Sequence, residues 1–365
     1  MAGLDLRLAM VTPRYAPASG DTARGARRLA RHLADHGVEV VVFTGRHGDA
    51  MSETVKVSDE GVRVYRASSG YEGLVLFEME ESSRPFDLLH GFSLSAALTC
   101  LRLGQSRDRP LVVTLLERDG AVPLPPVRGL ERVTWFAGVC GDVLRRVGGQ
   151  CDVSGRSSVI PPGIDAERLP VWRSSEATAG VIGVTIDARR PETFRWVIDA
   201  YRRLPADLMR RLSLMDDPIE DADDSEDVQQ MRCACALASD LEIRTASADG
   251  PDEAWYASLG AFVAPASHSG ALYATRCAAA AGVPIVAADV DGVRDLLVPG
   301  VTASLVPSGD AAKLAEALRE LSTDGALAVR RSRAARQAVA NLTPAAECAR
   351  YLDVYSRVLA RQAPA

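Results

Sequence analysis

Short apolar runs alternate along this chain with longer stretches whose apolar residues recur every three or four positions. Leu6 to Val11 reads as a strand, Thr22 to Asp35 as a helix and Val38 to Thr44 as the next strand, so one βαβ unit closes within the first 45 residues. Further strands are expected at Val62 to Tyr65, Leu88 to Leu89, Leu111 to Leu115, Val133 to Val139 and Ser158 to Ile160. Strands that are apolar on both faces need cover on both faces, which a parallel sheet wound with helices supplies.

The pattern breaks at Ile160 to Thr178, where Pro161, Pro162, Gly163 and Pro170 interrupt structure and Arg173 to Thr178 is polar. It resumes with strands at Val181 to Thr185, Leu212 to Met215, Ile243 to Thr245, Ala261 to Ala264, Ile285 to Ala287 and Ser304 to Val306. Helices are expected between them at Pro191 to Leu204, Val228 to Ala238, Asp252 to Leu259, Ala271 to Ala281 and Asp310 to Leu321. Pro191 suits a first helical position, and Gly282 with Pro284 forms a stop. At 365 residues there is enough chain for two domains of ordinary size. We place them at residues 1–165 and 166–340, with 341–365 as a last helix. Its apolar stripe Cys348, Leu352, Tyr355 and Leu359 has no strand after it to serve, so it is expected to cross back to the first domain, with Ile160 to Pro170 as a hinge.

Charge and cysteine usage exclude several classes. A net charge of −6 is wrong for a protein that displaces counterions from a nucleic-acid backbone. The seven cysteines are odd in number and contain no CxxC pair, which fits neither a disulfide framework nor a zinc site. Cys233 and Cys235 read as small residues on a helix. The N-terminus has no basic segment leading into an apolar one, and no apolar run approaches the ~18 residues of a membrane span, so a cytoplasmic protein is expected. In the first helix Ala23, Ala26, Ala30 and Leu33 should face the sheet, leaving Arg24, Arg27, Arg28 and Arg31 as a basic stripe. That stripe is either a solvated face or a weak contact for an anionic membrane. The acidic run Asp216 to Asp227 is expected as a solvated loop.

Several segments, in order, resemble family 4 of the retaining glycosyltransferases. MVTPRYAPASGD, a helix and VEVVVFTGR are similar to that family's opening strand, glycine loop, helix and second strand. FDLLHGF resembles the segment that sets a histidine at a strand end, and SVIPPGIDAERL the interdomain element. APASHSGALYATRCAAAAGVPIVAADVDGVRDLLVPGVTASLVPSGD is similar to the donor-site region. The resemblance implies a GT-B fold: two doubly wound, Rossmann-like α/β domains facing across a cleft, the first on the acceptor side and the second on the nucleotide-sugar side. It also implies sugar transfer with retention from a nucleotide-sugar to an acceptor the sequence does not name, without cofactor or metal.

Carried over position by position, the resemblance gives a donor site of Gly20, Asp21, Arg189, Arg190, His268, Ser269, Gly270, Ala271, Leu272, Tyr273 and Cys277, with His90 as the catalytic candidate. A helix opening at Ala271 to Tyr273 offers free N–H groups to a diphosphate, and Arg189 or Arg190 offers a cation. The departures lie at the same place. The family's paired glutamates fall on Ser269 and Cys277, the arginine of its GR pair on Val184, and a second loop glycine on Asp21; Phe92 and Leu116 stand where histidines are frequent. A thiol accepts hydrogen bonds poorly beside a carboxylate, so the ribose clamp is missing. Two functions remain open on this reading. One is a divergent transferase, and the other an inactive relative serving as partner subunit of an active paralogue.

Overall fold

In the computed structural model the described residues are 5–18, 20–46, 55–103, 109–116, 128–169, 171–173, 181–186, 191–205, 208, 211–216, 241–245, 253–265 and 272–361. They form two compact units, one of residues 1–163 with 344–365 and one of residues 164–343.

Unit 1 is built on β1 (Arg7–Thr12), α1 (Asp21–Asp35), β2 (Glu39–Gly45), β3 (Val55–Asp59), β4 (Val62–Ala67), α2 (Gly70–Ser83), β5 (Leu88–Phe92), α3 (Leu94–Leu103), β6 (Leu111–Leu115), β7 (Trp135–Gly138), α4 (Gly141–Gly148) and β8 (Ser157–Val159). The strands lie in the order β3-β4-β2-β1-β5-β6-β7-β8, parallel except at the β3–β4 edge. Strand order reverses between β1 and β5, the position at which open α/β sheets leave a crevice beyond their strand ends. The β3–β4 hairpin was not expected from the sequence. Its signal is Glu60-Gly61, both at positive φ (46° and 85°), the two-residue turn whose twist matches that of paired strands.

Unit 2 comprises β9 (Val181–Ile186), α5 (Pro191–Tyr201), β10 (Arg211–Asp216), β11 (Leu241–Thr245), α6 (Glu253–Ala257), β12 (Ala261–Ala264), α7 (Leu272–Ala281), β13 (Ile285–Ala288), α8 (Asp291–Arg294), β14 (Ser304–Val306), α9 (Ala311–Thr323) and α10 (Gly325–Val339). Its sheet is wholly parallel in the order β11-β10-β9-β12-β13-β14, with the reversal between β9 and β12. Asp310 and Asp324 cap α9 and α10 by accepting the Lys313 and Leu327 N–H groups at 2.9 Å each. Gly183 in β9 is required by close approach. A Cβ there would sit 2.3 Å from Leu259 Cδ1, and Leu259 is 0% exposed. The expected helix Val228 to Ala238 and the acidic run beyond Asp216 lie outside the described residues.

The last helix, α11 (Pro344–Ala360), packs on α1 and completes the core of unit 1 with Cys348, Tyr351, Val354, Tyr355 and Val358. Leu352 and Leu359, expected in the buried stripe, are only partly buried at its margin. Among the described residues no helix is long and apolar enough to cross a membrane.

Candidate functional site

In unit 1 the strand reversal lies at β1, and α1 opens after it at Gly20. Gly20 sits at φ 107° and ψ 158°, a region essentially restricted to glycine, and its carbonyl accepts the Arg24 N–H at 3.0 Å to start the helix. No side chain caps α1, so its first N–H groups point out of the helix end. Asp21, which would repel a phosphate at that end, is paired with Arg24 Nη2 at 2.6 Å. Beside it Tyr15 is buried and donates to Asp59 Oδ2 at 3.0 Å, while Arg27 grips both oxygens of Asp59 at 3.0 and 3.1 Å. Burial alone would raise the Asp59 carboxyl; the Arg27 hydrogen bonds and charge outweigh it and hold the group below the usual carboxylate range. Burial, with Asp59 adding to it, pushes the Tyr15 phenol far up.

This geometry corrects the reading of the basic stripe. Arg24 pairs with Asp21, Arg27 with Asp59, Arg28 with Glu347 and Arg31 with Glu60. Arg27 and Arg31 hold α1 to the β3–β4 hairpin and Arg28 holds it to α11, while Arg24 is paired within α1; an anionic membrane would have to compete with those carboxylates. The stripe is therefore internal bracing in unit 1.

His90 is corrected as well. It lies in β5, paired in register with Met10 of β1, and is 0% exposed. Its Nε2 is 2.7 Å from Thr114 Oγ1, which is 2.7 Å from the Tyr351 hydroxyl, and its Nδ1 is 2.7 Å from the Tyr355 hydroxyl. Burial lowers its pKa to about 3. A neutral imidazole with both nitrogens engaged inside the core is a structural group, and it ties β5 and β6 to α11. Phe92 and Leu116 belong to this core or pack against it.

In unit 2 the strand reversal falls between β9 and β12. The segments that follow these two strands carry the predicted donor residues: Arg189 and Arg190 before α5, and His268, Ser269, Gly270 and Ala271 before α7. All six lie outside the described residues, whereas the strands ahead of them and the helices behind them are described. On α7, Leu272 is fully buried, Tyr273 half-buried and Cys277 4% exposed. Val184 is 1% exposed and lies between Leu214 of β10 and Val263 of β12, so the position holds an apolar core residue where the resemblance expects a cation. Sequence reasoning missed Arg24 as the partner of Asp21. Their i,i+3 spacing at a helix start was the available signal.

Comparison with known proteins gives one family match in each unit. Residues 20–147 match the family described as "Glycosyl transferase 4-like domain", and residues 187–324 match "Glycosyl transferases group 1". A D-inositol 3-phosphate glycosyltransferase of Xylanimonas cellulosilytica is 24% identical over 92% of this chain and 91% of its own length. Among solved structures, sucrose-phosphate synthase from Thermosynechococcus elongatus superposes with a TM-score of 0.79 at 17% identity, covering 98% of this chain and 100% of that one. Anabaena HepE in complex with UDP and glucose does so at 0.74 and 16%, covering 96% and 100%. The structural likenesses carry the fold, and the two family matches fall one in each unit, in chain order. The chain belongs to the family 4, group 1 glycosyltransferases of GT-B fold.

Proposed function

We propose that the protein moves a sugar from a nucleotide-sugar donor to an acceptor, with retention and without a metal ion, in the cytoplasm. The observation that carries this reading is the strand reversal of unit 2. The two segments leaving β9 and β12 there contain Arg189, Arg190 and the stretch His268 to Ala271, ahead of α7. In this reading the start of α7 and one of the two arginines stabilise the charge that develops on the departing diphosphate. In unit 1, Arg24 neutralises Asp21 at the open end of α1, so that end could also receive an anion without repelling it. Because the curated relatives act on D-inositol 3-phosphate and Anabaena HepE binds UDP-glucose, UDP-sugars are the first donors to test and a phosphorylated inositol the first acceptor.

Cys277 and Val184 favour a second reading. Both are buried where the resemblance expects charged groups, which suits a scaffold that has given up donor binding and serves as partner of an active paralogue. Titration with UDP, uridine and UDP-glucose, repeated on Cys277→Glu, separates the two. The transferase reading expects UDP to bind, uridine not to, and the substitution to tighten UDP by the ~1.5–3 kcal/mol of a hydrogen bond to a charged group. If no diphosphate binds at millimolar concentration and the substitution changes nothing, the partner reading replaces it.

A further inference from the structure

In unit 1, α2 is buried through Phe77 and Glu81, with the Phe77 ring against Phe43 and Phe86. Its outer face is not the polar surface expected of a solvated helix. Tyr71, Leu74, Val75 and Met79 are 78, 41, 40 and 65% exposed. Positions i, i+3, i+4 and i+8 share one side of a helix, so the four side chains form a continuous apolar strip, and Glu78, at i+7, sits within it. Scattered exposed apolar residues are ordinary, whereas a contiguous strip marks a surface that meets a partner. From Gly70 to Ser83 the helix holds four glutamates and no Lys or Arg, which suits a cationic partner and not an anionic membrane.

In unit 2, α10 has the opposite character. Leu327, Ala328, Ser332, Ala335 and Val339 are buried, and the helix packs on α7. Its other face, with Ala326, Val329, Arg330, Arg333, Ala334 and Gln337, lines a shallow open groove. The alanines leave room for larger side chains to enter between them. Gly325 to Val339 holds four arginines and no Asp or Glu. Arg331 turns back onto Ser304 and Glu320, but Arg330 and Arg333 have no carboxylate partner among the described residues.

The two faces complement each other in charge, in side-chain size and in length, with 14 residues against 15, or ~21 and ~22 Å of helix. Each is exposed in the single chain. Pairing like with like is disfavoured, since α2 on α2 would bring Glu78 carboxylates together and α10 on α10 would bring arginines together. We propose that α2 is a docking surface for a second copy of this chain, whose α10 groove receives Tyr71, Leu74, Val75 and Met79 while its Arg330 and Arg333 meet Glu78. Because the contact joins unlike faces, each added copy leaves one of each kind open, and assembly ends in a closed ring or continues as an open row. The proposal stands apart from the transferase reading and holds under either function above.

Sedimentation equilibrium of the full chain at low ionic strength tests it. The mass of wild type is expected to rise with concentration in the micromolar range, and about 0.5 M salt to weaken the association roughly 10-fold. Glu78→Arg, and separately the double variant Arg330→Glu with Arg333→Glu, should each raise the dissociation constant by roughly 10-fold or more. An equimolar mixture of these two variants should associate again, because the new arginine then faces the new glutamates and the unaltered faces still match. Tyr71→Ser with Met79→Ser leaves every charge in place and should weaken association as much, with urea melts showing that each variant folds as wild type does. A wild type that stays monomeric at millimolar concentration would overturn the proposal. So would association that the arginine variants leave unchanged, or a mixture of the two charge variants that stays monomeric, since either places another face against α2. Binding of monomeric wild type to phosphatidylcholine vesicles, lost in Tyr71→Ser with Met79→Ser, would give the strip to a membrane instead.

Discussion

The buried histidine gives unit 1 a pH dependence whose sign and size follow from its surroundings. In the folded chain His90 is neutral down to about pH 3, because burial penalises its charged form and the groups at its two nitrogens are hydroxyls of Thr114 and Tyr355. In the unfolded chain it titrates near its ordinary value of ~6.5. Below that value the unfolded state binds the extra proton, so stability present above pH 6.5 is lost progressively as pH falls toward 3. The loss is about 1.4 kcal/mol per pH unit, and by pH 5 it amounts to about 2 kcal/mol from this residue alone.

Replacing His90 by Gln isolates that contribution. At pH 7.5 the variant should be less stable by roughly 1–3 kcal/mol, since the ring's packing goes and at least one buried hydroxyl of the Thr114, Tyr351 and Tyr355 chain loses its partner. The variant has no proton to gain at position 90, so the gap should close by about 2 kcal/mol between pH 7.5 and pH 5. Urea unfolding followed by Trp135 fluorescence reads unit 1, once the three tryptophans of unit 2 are replaced by phenylalanine. In parallel, the imidazole proton resonances of the five histidines can be titrated by NMR, where one ring should stay unprotonated throughout. A gap that stays constant across that range, or five rings that all titrate near pH 6.5, would refute the account of a buried neutral histidine.

Other outcomes follow from the same interior. Gly183→Ala should destabilise unit 2 by ~1–3 kcal/mol because its Cβ would overlap Leu259; Leu259→Ala alone should cost ~2–5 kcal/mol, and the double variant less than the sum, as urea melts would show. Gly20→Ala should cost roughly 1–3 kcal/mol through backbone strain at φ 107°, read by unfolding of unit 1. Among the eight tyrosines, Tyr15, Tyr351 and Tyr355 have phenols raised first of all by burial. Their stabilising contribution is complete below pH ~10 and is lost as pH rises beyond it, so absorbance at alkaline pH should show these three ionising only as the chain unfolds.

Much of the architecture is legible in sequence because its signals are local. The strands Leu111–Leu115, Ala261–Ala264 and Ser304–Val306 begin and end where their apolar runs do, and α7 stops at Ala281 just before Gly282 and Pro284. The β3–β4 hairpin and α10 were not expected, although Glu60-Gly61 and the cap Asp324 mark them. What sequence could not show is pairing over distance. The arginines of α1 look like a solvated stripe because their carboxylates come from Asp59 and Glu60 of a hairpin and from Glu347 of the last helix. The role of His90 was equally hidden, since Thr114 and the two tyrosines that surround it are distant in the chain. The donor half-site was read from resemblance and remains a proposal at Gly20, Asp21, Leu272, Tyr273 and Cys277, alongside the six residues outside the described regions.

The size of the expected donor affinity follows from the two positions that lost their charge. On the proposed transferase reading, Cys277 stands where the resemblance expects a charged acceptor for ribose hydroxyls and Val184 where it expects a cation for the diphosphate, each worth ~1.5–3 kcal/mol when made. Together they withdraw about 3–6 kcal/mol from a site that would otherwise bind at micromolar concentration, near −8 kcal/mol, leaving roughly −5 to −2 kcal/mol. UDP is therefore expected to bind in the millimolar range or weaker by calorimetric titration, with phosphate supplying most of what remains. The deficit should respond differently at the two positions. Cys277→Glu, on α7, should recover part of it, whereas Val184→Arg would force a guanidinium between β10 and β12 and unfold unit 2 before it could help. A micromolar constant for wild type would refute this reasoning, because groups other than residue 277 would then have to be holding the ribose in place of the missing carboxylate.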